Sequence, residues 1–200
     1  MSSSEAVAGP ARSRRYDPDR RDHIIDACIE VIATVGVVGT SLRRVAAAAE
    51  VPLGSMTYHF TGREELLREA LTRFAGIVAT RFEKRMGDVE AGDTVRGVQE
   101  VIDLIRSDVF VDNKELVLSH ELYTLAARDP AYRQVTKAWM ARSRAALERV
   151  FDPLTARLID ALIEGMTIHR ALDTEPHDNR DVEIAVRRIT STSAVEHTGP

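Results

Sequence analysis

The sequence predicts an all-α chain of about nine helices, with an N-terminal three-helix unit containing a helix-turn-helix and a C-terminal helical domain behind it. Three observations carry that prediction. Apolar residues recur at i, i+3, i+4 and i+7 along most of the chain, the spacing of a helix buried on one side. Glycine and proline fall between these stretches, at Gly36, Pro52, Pro130, Pro153 and Pro176, where they stop one helix or start the next. No hairpin signal and no internal repeat interrupts the pattern.

Residues 1–17 are rich in Ser, Gly, Pro and Arg and read as a disordered basic arm. Arg12, Arg14 and Arg15 there are either a solvated tail or an arm that reaches a minor groove. The first helix spans about 18–35, with Ile24, Ile25, Cys28, Ile29 and Ile32 on its apolar stripe and Gly36 as its stop. Thr40 or Ser41 can cap the second helix, whose stripe is Leu42, Val45, Ala46 and Ala49. The chain breaks near Glu50–Val51 and restarts at Pro52, which fits the first turn of a helix. The third helix turns Met56 and Phe60 inward and Leu53, Gly54, Ser55, Thr57 and His59 outward. A short helix with small and hydroxyl-bearing residues in its first turn is what a major groove admits.

The fourth helix runs from about Arg63 to Met86, burying Leu66, Leu67, Ala70, Leu71, Phe74, Val78 and Phe82, and is long enough to link two domains. After a loop at 87–93, the fifth helix covers about 94–107 on Val95, Val98, Val101, Ile102 and Ile105. The sixth covers about 112–128 and ends ahead of Asp129-Pro130, because proline disfavours a helical residue before it. The seventh spans about 131–150, the eighth 154–172 and the ninth 179–191, leaving a flexible tail at 193–200.

Two hundred residues with 44% hydrophobic content suffice for a sizeable core. The net charge of −4 argues against nucleic acid only if read globally. Residues 1–60 balance seven basic side chains against seven acidic ones, so the whole excess of acid lies after them. Binding follows the local field, not the total. The lone cysteine, Cys28, excludes an intrachain disulfide, sits on an apolar stripe as a core residue, and suits a reducing cytoplasm. No apolar run approaches the ~20 residues that span a bilayer. The N-terminus lacks the basic-then-apolar order of a secretory signal, so no membrane is expected as a partner.

Residues 24–66 resemble the DNA-binding domain of the TetR family of bacterial transcriptional repressors. The likeness runs from Ile24-Ile25-Asp26-Ala27-Cys28 through Gly36 and Thr40-Ser41-Leu42-Arg43-Arg44-Val45-Ala46 to Gly54-Ser55-Met56-Thr57-Tyr58-His59-Phe60, and on into Arg63-Glu64-Glu65-Leu66-Leu67. It implies a DNA-binding domain over 18–64 and a regulatory and dimerisation domain over 65–192. The resemblance implies a double-stranded DNA operator as partner, and repression as the outcome.

The expected DNA surface is Thr40, Ser41, Arg43, Arg44, Pro52, Leu53, Gly54, Ser55, Thr57, Tyr58, His59 and Arg63. Ser41 lies in a first turn suited to phosphate. Arg43 points away from the apolar stripe, and an arginine on guanine discriminates by about 1–3 kcal/mol. Gly54 lets the backbone approach the groove, and the Thr57 methyl can meet a thymine methyl. The resemblance gives Tyr58, His59 and Arg63 the phosphate backbone. Leu53 and Thr57 depart from frequent family residues, which leaves the operator sequence open.

If the resemblance extends to helices four to eight, they enclose a mostly apolar effector cavity. Its candidate lining is Phe74, Val78, Phe82, Ile102, His120, Tyr123, Thr124, Trp139, Met140 and Ser143, for each of which core packing or surface exposure is the alternative. The eighth helix is apolar nearly all round and so must be covered on two sides. That predicts a twofold homodimer of four helices through Leu158, Leu162, Gly165, Met166, His169, Val182, Val186 and Ile189, the alternative being the central helix of a monomer.

An enzyme is not expected. Ser119-His120-Glu121 are consecutive on a helix, point about 100° apart and cannot form one hydrogen-bonded chain. No two of the six histidines stand four residues apart, so a helical zinc motif is absent; no glycine-rich phosphate loop occurs, and no cofactor is expected. The other rival is a helical adaptor that docks a protein on helices eight and nine.

Overall fold

The computed structural model describes residues 19–107, 113–174 and 178–192. The arm at 1–17 and the tail at 193–200 lie outside them. Nine α-helices and no strand occur among the described residues: α1 Arg20–Gly39, α2 Leu42–Ala48, α3 Leu53–His59, α4 Arg63–Gly87, α5 Thr94–Arg106, α6 Asn113–Arg128, α7 Pro130–Glu148, α8 Pro153–Leu172 and α9 Asn179–Thr192. The expected boundaries agree to within one or two residues except at the end of α1.

Local chemistry explains the agreement. Asp93 caps α5 by accepting from Arg96 N at 3.0 Å, Asp129 caps α7 from Ala131 N at 2.8 Å, and Asp152 caps α8 from Leu154 N and Thr155 N at 3.0 Å each. Pro130 and Pro153 then occupy first helical turns, where no N–H is missed. In α4, Glu64 and Glu65 stand in the first turn and Lys84 and Arg85 in the last, both favourable to the helix dipole.

The difference there is an addition: the first helical run stops at Gly36, as expected, at φ 68°, and Val37–Gly39 add a short turn beyond the kink. The break frees the Val37 amide, which donates at 3.0 Å to Oε1 of Glu121 on α6. The backbone conformation requires glycine here, and a Cβ on Gly36 would lie 2.4 Å from that same oxygen and displace the carboxylate.

Two apolar cores run along the molecule. The first joins α1, α2 and α3 to the N-terminal half of α4 and includes Leu118, Leu122, Ala126 and Tyr132 from α6 and α7. The second gathers Met86, Ile102, Ile105, Leu147, Ile159, Val182 and Val186 from the C-terminal end of α4 and from α5, α7, α8 and α9. Residue 64 therefore bounds the helix-turn-helix motif but not its core, since α6 and α7 help to close it. Ion pairs bind α4 to α1: Arg73 reaches Asp26 at 2.8 Å and also Asp22, and Arg21 meets Glu69 at 2.5 Å while its guanidinium lies 5.1 Å over Phe60.

Candidate nucleic-acid surface and ligand cavity

The second and third helices form the expected helix-turn-helix. Ser41 is the cap of α2, with Oγ accepting from Arg44 N at 3.3 Å. The helix closes with Val51 N on Ala46 O at 2.9 Å and Glu50 N on Ala47 O at 3.2 Å, and Glu50 takes φ 52°. Pro52 then precedes α3, which is anchored by Met56 and Phe60; burial of each is worth about 2 kcal/mol.

The solvent side of this unit presents Ser41, Arg43, Pro52, Leu53, Gly54, Thr57 and Tyr58, with Ser55 and His59 half-buried beside them. Tyr58 is 80% exposed and Leu53 47%, so both side chains are open to a partner. Thr57 returns its hydroxyl to Gly54 O at 3.1 Å, which leaves its methyl outward.

Three of the expected contact residues make bonds within the chain. Thr40 is 2% exposed and donates to Gly36 O at 2.8 Å, so its side chain belongs to the end of α1. Arg63 spends its guanidinium internally, with Nε on Thr40 O at 2.7 Å, Nη1 on Glu64 at 2.7 Å and Nη2 on Val37 O. Arg44 donates to Gly39 O at 2.8 Å while remaining exposed. Arg63 and Arg44 thus add donors to the carbonyls at the end of α1, of which Val37 O also accepts from Thr40 N at 3.1 Å.

Further along, a cavity of about 420 Å³ opens between α4, α5, α6, α7 and α8. Of the expected lining residues it takes Val78, Phe82, Tyr123, Trp139, Met140 and Ser143. Four others lie elsewhere. Phe74 is sealed in the first core behind Trp139, edge-on at 6.0 Å, and Ile102 is sealed in the second. His120 donates Nδ1–H to Leu116 O at 2.7 Å on its own helix, and Thr124 is exposed to solvent.

The lining residues that the sequence did not single out are mainly polar. Arg81 and Glu115 pair across α4 and α6 at 2.8 and 2.6 Å. Arg85 pairs with Glu100 and reaches Ser107 Oγ at 3.2 Å. Asp160 and Glu164 face the cavity from α8 beside Ile163, Thr167 and Ile168, and Leu104 and Ser119 complete the wall. Asp160 and Glu164 were visible as acids one turn apart inside an otherwise apolar helix, and that interruption was the available signal. Burial, which outweighs the pull of Arg144, pushes the Asp160 carboxyl up to about 6. Burial and then the Glu164 charge push the Tyr123 phenol well above its usual range.

On α8, Leu158 is 46% exposed, Leu162, Gly165 and Met166 are half-buried and His169 is exposed, along one stripe; Ile189 of α9 is half-buried. Val182 and Val186, expected at a subunit interface, are fully buried in the chain's own second core. The outward apolar residue of α9 is Ile184. Among the described residues no His/Cys/Asp/Glu group could hold a metal ion, and no helix is long and apolar enough to cross a membrane.

Comparison with known proteins adds the family. Residues 24–70 match the bacterial regulatory proteins of the tetR family, and residues 89–192 match the tetracyclin repressor-like C-terminal domain. Among solved structures, a transcriptional regulator of Streptomyces coelicolor is 50% identical, with a TM-score of 0.79 over 87% of this chain and 99% of that one. The multidrug binding protein EbrR in complex with ethidium is 33% identical, with a TM-score of 0.71 over 86% of this chain and 98% of that one. The nicotine-responsive transcriptional repressor HdnoR of Paenarthrobacter nicotinovorans is 23% identical over 177 residues, 82% of this chain and 90% of that one. From its helix-turn-helix to its C-terminal bundle, this chain belongs to the TetR family of bacterial transcriptional regulators.

Proposed function

We propose that the chain represses transcription as a twofold homodimer on a palindromic operator, and that a small organic effector in the cavity releases it. One observation carries this reading. Helices α4 and α6 each serve both ends of the molecule, with no insulating layer between them. Leu66–Ala75 of α4 and Leu118 and Leu122 of α6 sit in the core of the DNA-binding unit. Val78–Arg85 of α4 and Glu115, Ser119 and Tyr123 of α6 line the cavity. A ligand that prefers one setting of these helices shifts the setting of α3 with it.

The dimer reading is supported by the open stripe on α8, where nothing stands within 4 Å of a Cβ placed on Gly165, so that a partner helix could approach closely. EbrR has been solved with imidazole, ethidium, proflavin and malachite green, which supports a small organic molecule as effector class.

Selection of genomic fragments by the purified protein, followed by sequencing, tests the reading. The expected product is a palindrome with half-sites one helical turn apart, about 34 Å. Leu158→Asp should convert the dimer to a monomer in sedimentation equilibrium and lower operator affinity at least tenfold. A chain that retains no duplex at low salt would sink the proposal, because phosphate neutralisation is strongest there.

A further inference from the structure

We propose that α4 bends at Gly76, and that this joint sets the angle between the DNA-binding unit and the rest of the chain. This deepens the operator reading above and rests on it.

The packing and the ion pairs of α4 change over at the same point. Leu66, Leu67, Ala70, Leu71, Phe74 and Ala75 are buried in the first core, and the cavity wall begins at Val78. Ahead of Gly76, Glu69 and Arg73 reach Arg21, Asp22 and Asp26 on α1. After it, Arg81 reaches Glu115 on α6, Glu83 meets Arg142 on α7, and Arg85 reaches Glu100 on α5. Each half of α4 is thus tied to a different set of helices. Gly76 and Ile77 lie between the two halves, the first half-buried and the second 54% exposed.

Gly76 is also the least favourable residue in the interior of this unbroken helix of 25 residues. Glycine within a helix is disfavoured against alanine by a factor of about five, because more backbone freedom is lost. Packing within the chain does not call for it. Apart from its own stretch of helix, nothing lies within 4 Å of a Cβ built on Gly76, and its φ is not positive. What glycine contributes there is freedom to bend. A bend parts Thr80 N from Gly76 O, its helical acceptor, and a second donor stands beside that carbonyl. Arg142 of α7 donates through Nε and Nη2 to Glu83 at 2.6 and 2.5 Å and through Nη2 to Thr80 Oγ1 at 2.9 Å, and its Nη1 reaches Gly76 O at 3.5 Å. The carbonyl that a bend uncovers therefore keeps a partner. The same helix lends Trp139, Met140 and Ser143 to the cavity, so a guest between α4 and α7 acts on the helix that straps the joint.

Gly76→Ala, whose methyl group fits the open space, tests this in the full chain without any effector. Gel-shift titrations compare the selected palindrome with the same duplex carrying one extra central base pair. That insertion moves the half-sites about 3.4 Å farther apart and turns one against the other, so the two DNA-binding units must re-angle to follow. The variant should melt at a higher temperature than the wild type. The ratio of its two dissociation constants should rise at least about fivefold over the wild-type ratio, since the stiffer joint is present in both subunits. Thr72→Ala, a helix-favouring change at an exposed site one turn earlier on α4, should leave the ratio within about twofold. A ratio that does not rise in Gly76→Ala, or that rises equally in Thr72→Ala, overturns the joint and leaves the repressor reading standing. A Gly76→Ala chain that turns monomeric in sedimentation equilibrium also overturns it, because Gly76 would then be a contact with the partner subunit. A wild type that binds neither duplex overturns both readings.

Discussion

Arg63 shows how a residue expected at the phosphate backbone is also held by its own fold. It opens α4 where the family resemblance places a phosphate contact, but its donors hold Thr40 O, Val37 O and Glu64. The two carbonyls belong to the short turn that follows Gly36; the stop at Gly36 is legible in the sequence, and the turn after it is not. Arg63→Ala removes the donor to Thr40 O and one of the two donors to Val37 O, which keeps Thr40 N at 3.1 Å, and should cost about 1–2 kcal/mol of stability, read as a lowered midpoint in thermal or urea unfolding. Arg63→Lys should restore only part of it, because an ammonium cannot span two carbonyls as a planar fork does. Cys28 was legible, since a cysteine on an apolar stripe needs no distant partner; burial pushes its thiol up to about 12 and keeps it unreactive. Asp160 was visible as an acid on an apolar helix, but its burial was not legible, because its environment comes from other helices. Its folded pKa of about 6 lies above the ordinary 3.8, so the folded chain holds that proton more tightly than the unfolded one. The buried charge therefore costs stability above about pH 6, and the cost disappears as the pH falls toward 4. Asp160→Asn should raise stability at pH 7 by about 1–2 kcal/mol once solvent screening of the half-exposed group is allowed for, and by nothing near pH 4. Unfolding curves for both proteins at the two pH values give the comparison.

Among the elements, boundaries set by local chemistry could be read directly. Asp129-Pro130 and Asp152-Pro153 place a cap and a first-turn proline side by side, and α7 and α8 begin there. The short turn after Gly36 could not be read, because the amide of Val37 is satisfied by a side chain 84 residues away. The end of α2 lies between these cases. A break near Glu50–Val51 is evident from Pro52, but the left-handed conformation of Glu50 is not, since that position ordinarily carries glycine. Glu50 pays a steric cost that glycine escapes. Glu50→Gly should accordingly stabilise the chain by up to about 1 kcal/mol, with Tm as the readout. Because Glu50 faces away from Met56 and Phe60, the packing of α3 should be unchanged. A fall in Tm would mean that the Glu50 side chain holds the turn in some other way.

At the scale of the whole molecule, the sequence marked α4 as a link between the two domains but not the part that α6 plays beside it. Periodicity marks Leu118 and Leu122 as buried without saying that they are buried against the DNA-binding unit. The connection has a specific fastening. Glu121 Oε1 accepts the Val37 amide and fills the space beside Gly36, while Glu115, Ser119 and Tyr123 of the same helix line the cavity. A movement of α6 thus pulls on the last turn of α1, to which Arg44 and Arg63 are also bound. Coupling between two sites is a free energy that can be lost while each site keeps its own affinity. Glu121→Ala should leave the affinity of the isolated protein for a cavity ligand within about twofold. The ligand concentration that releases half the operator DNA should rise at least about fivefold, equivalent to roughly 1 kcal/mol of lost coupling. Gel-shift release curves beside direct ligand titrations separate the two quantities. An unchanged release midpoint would mean that α4 alone carries the signal, since α4 is the other helix shared by the cavity and the DNA-binding core.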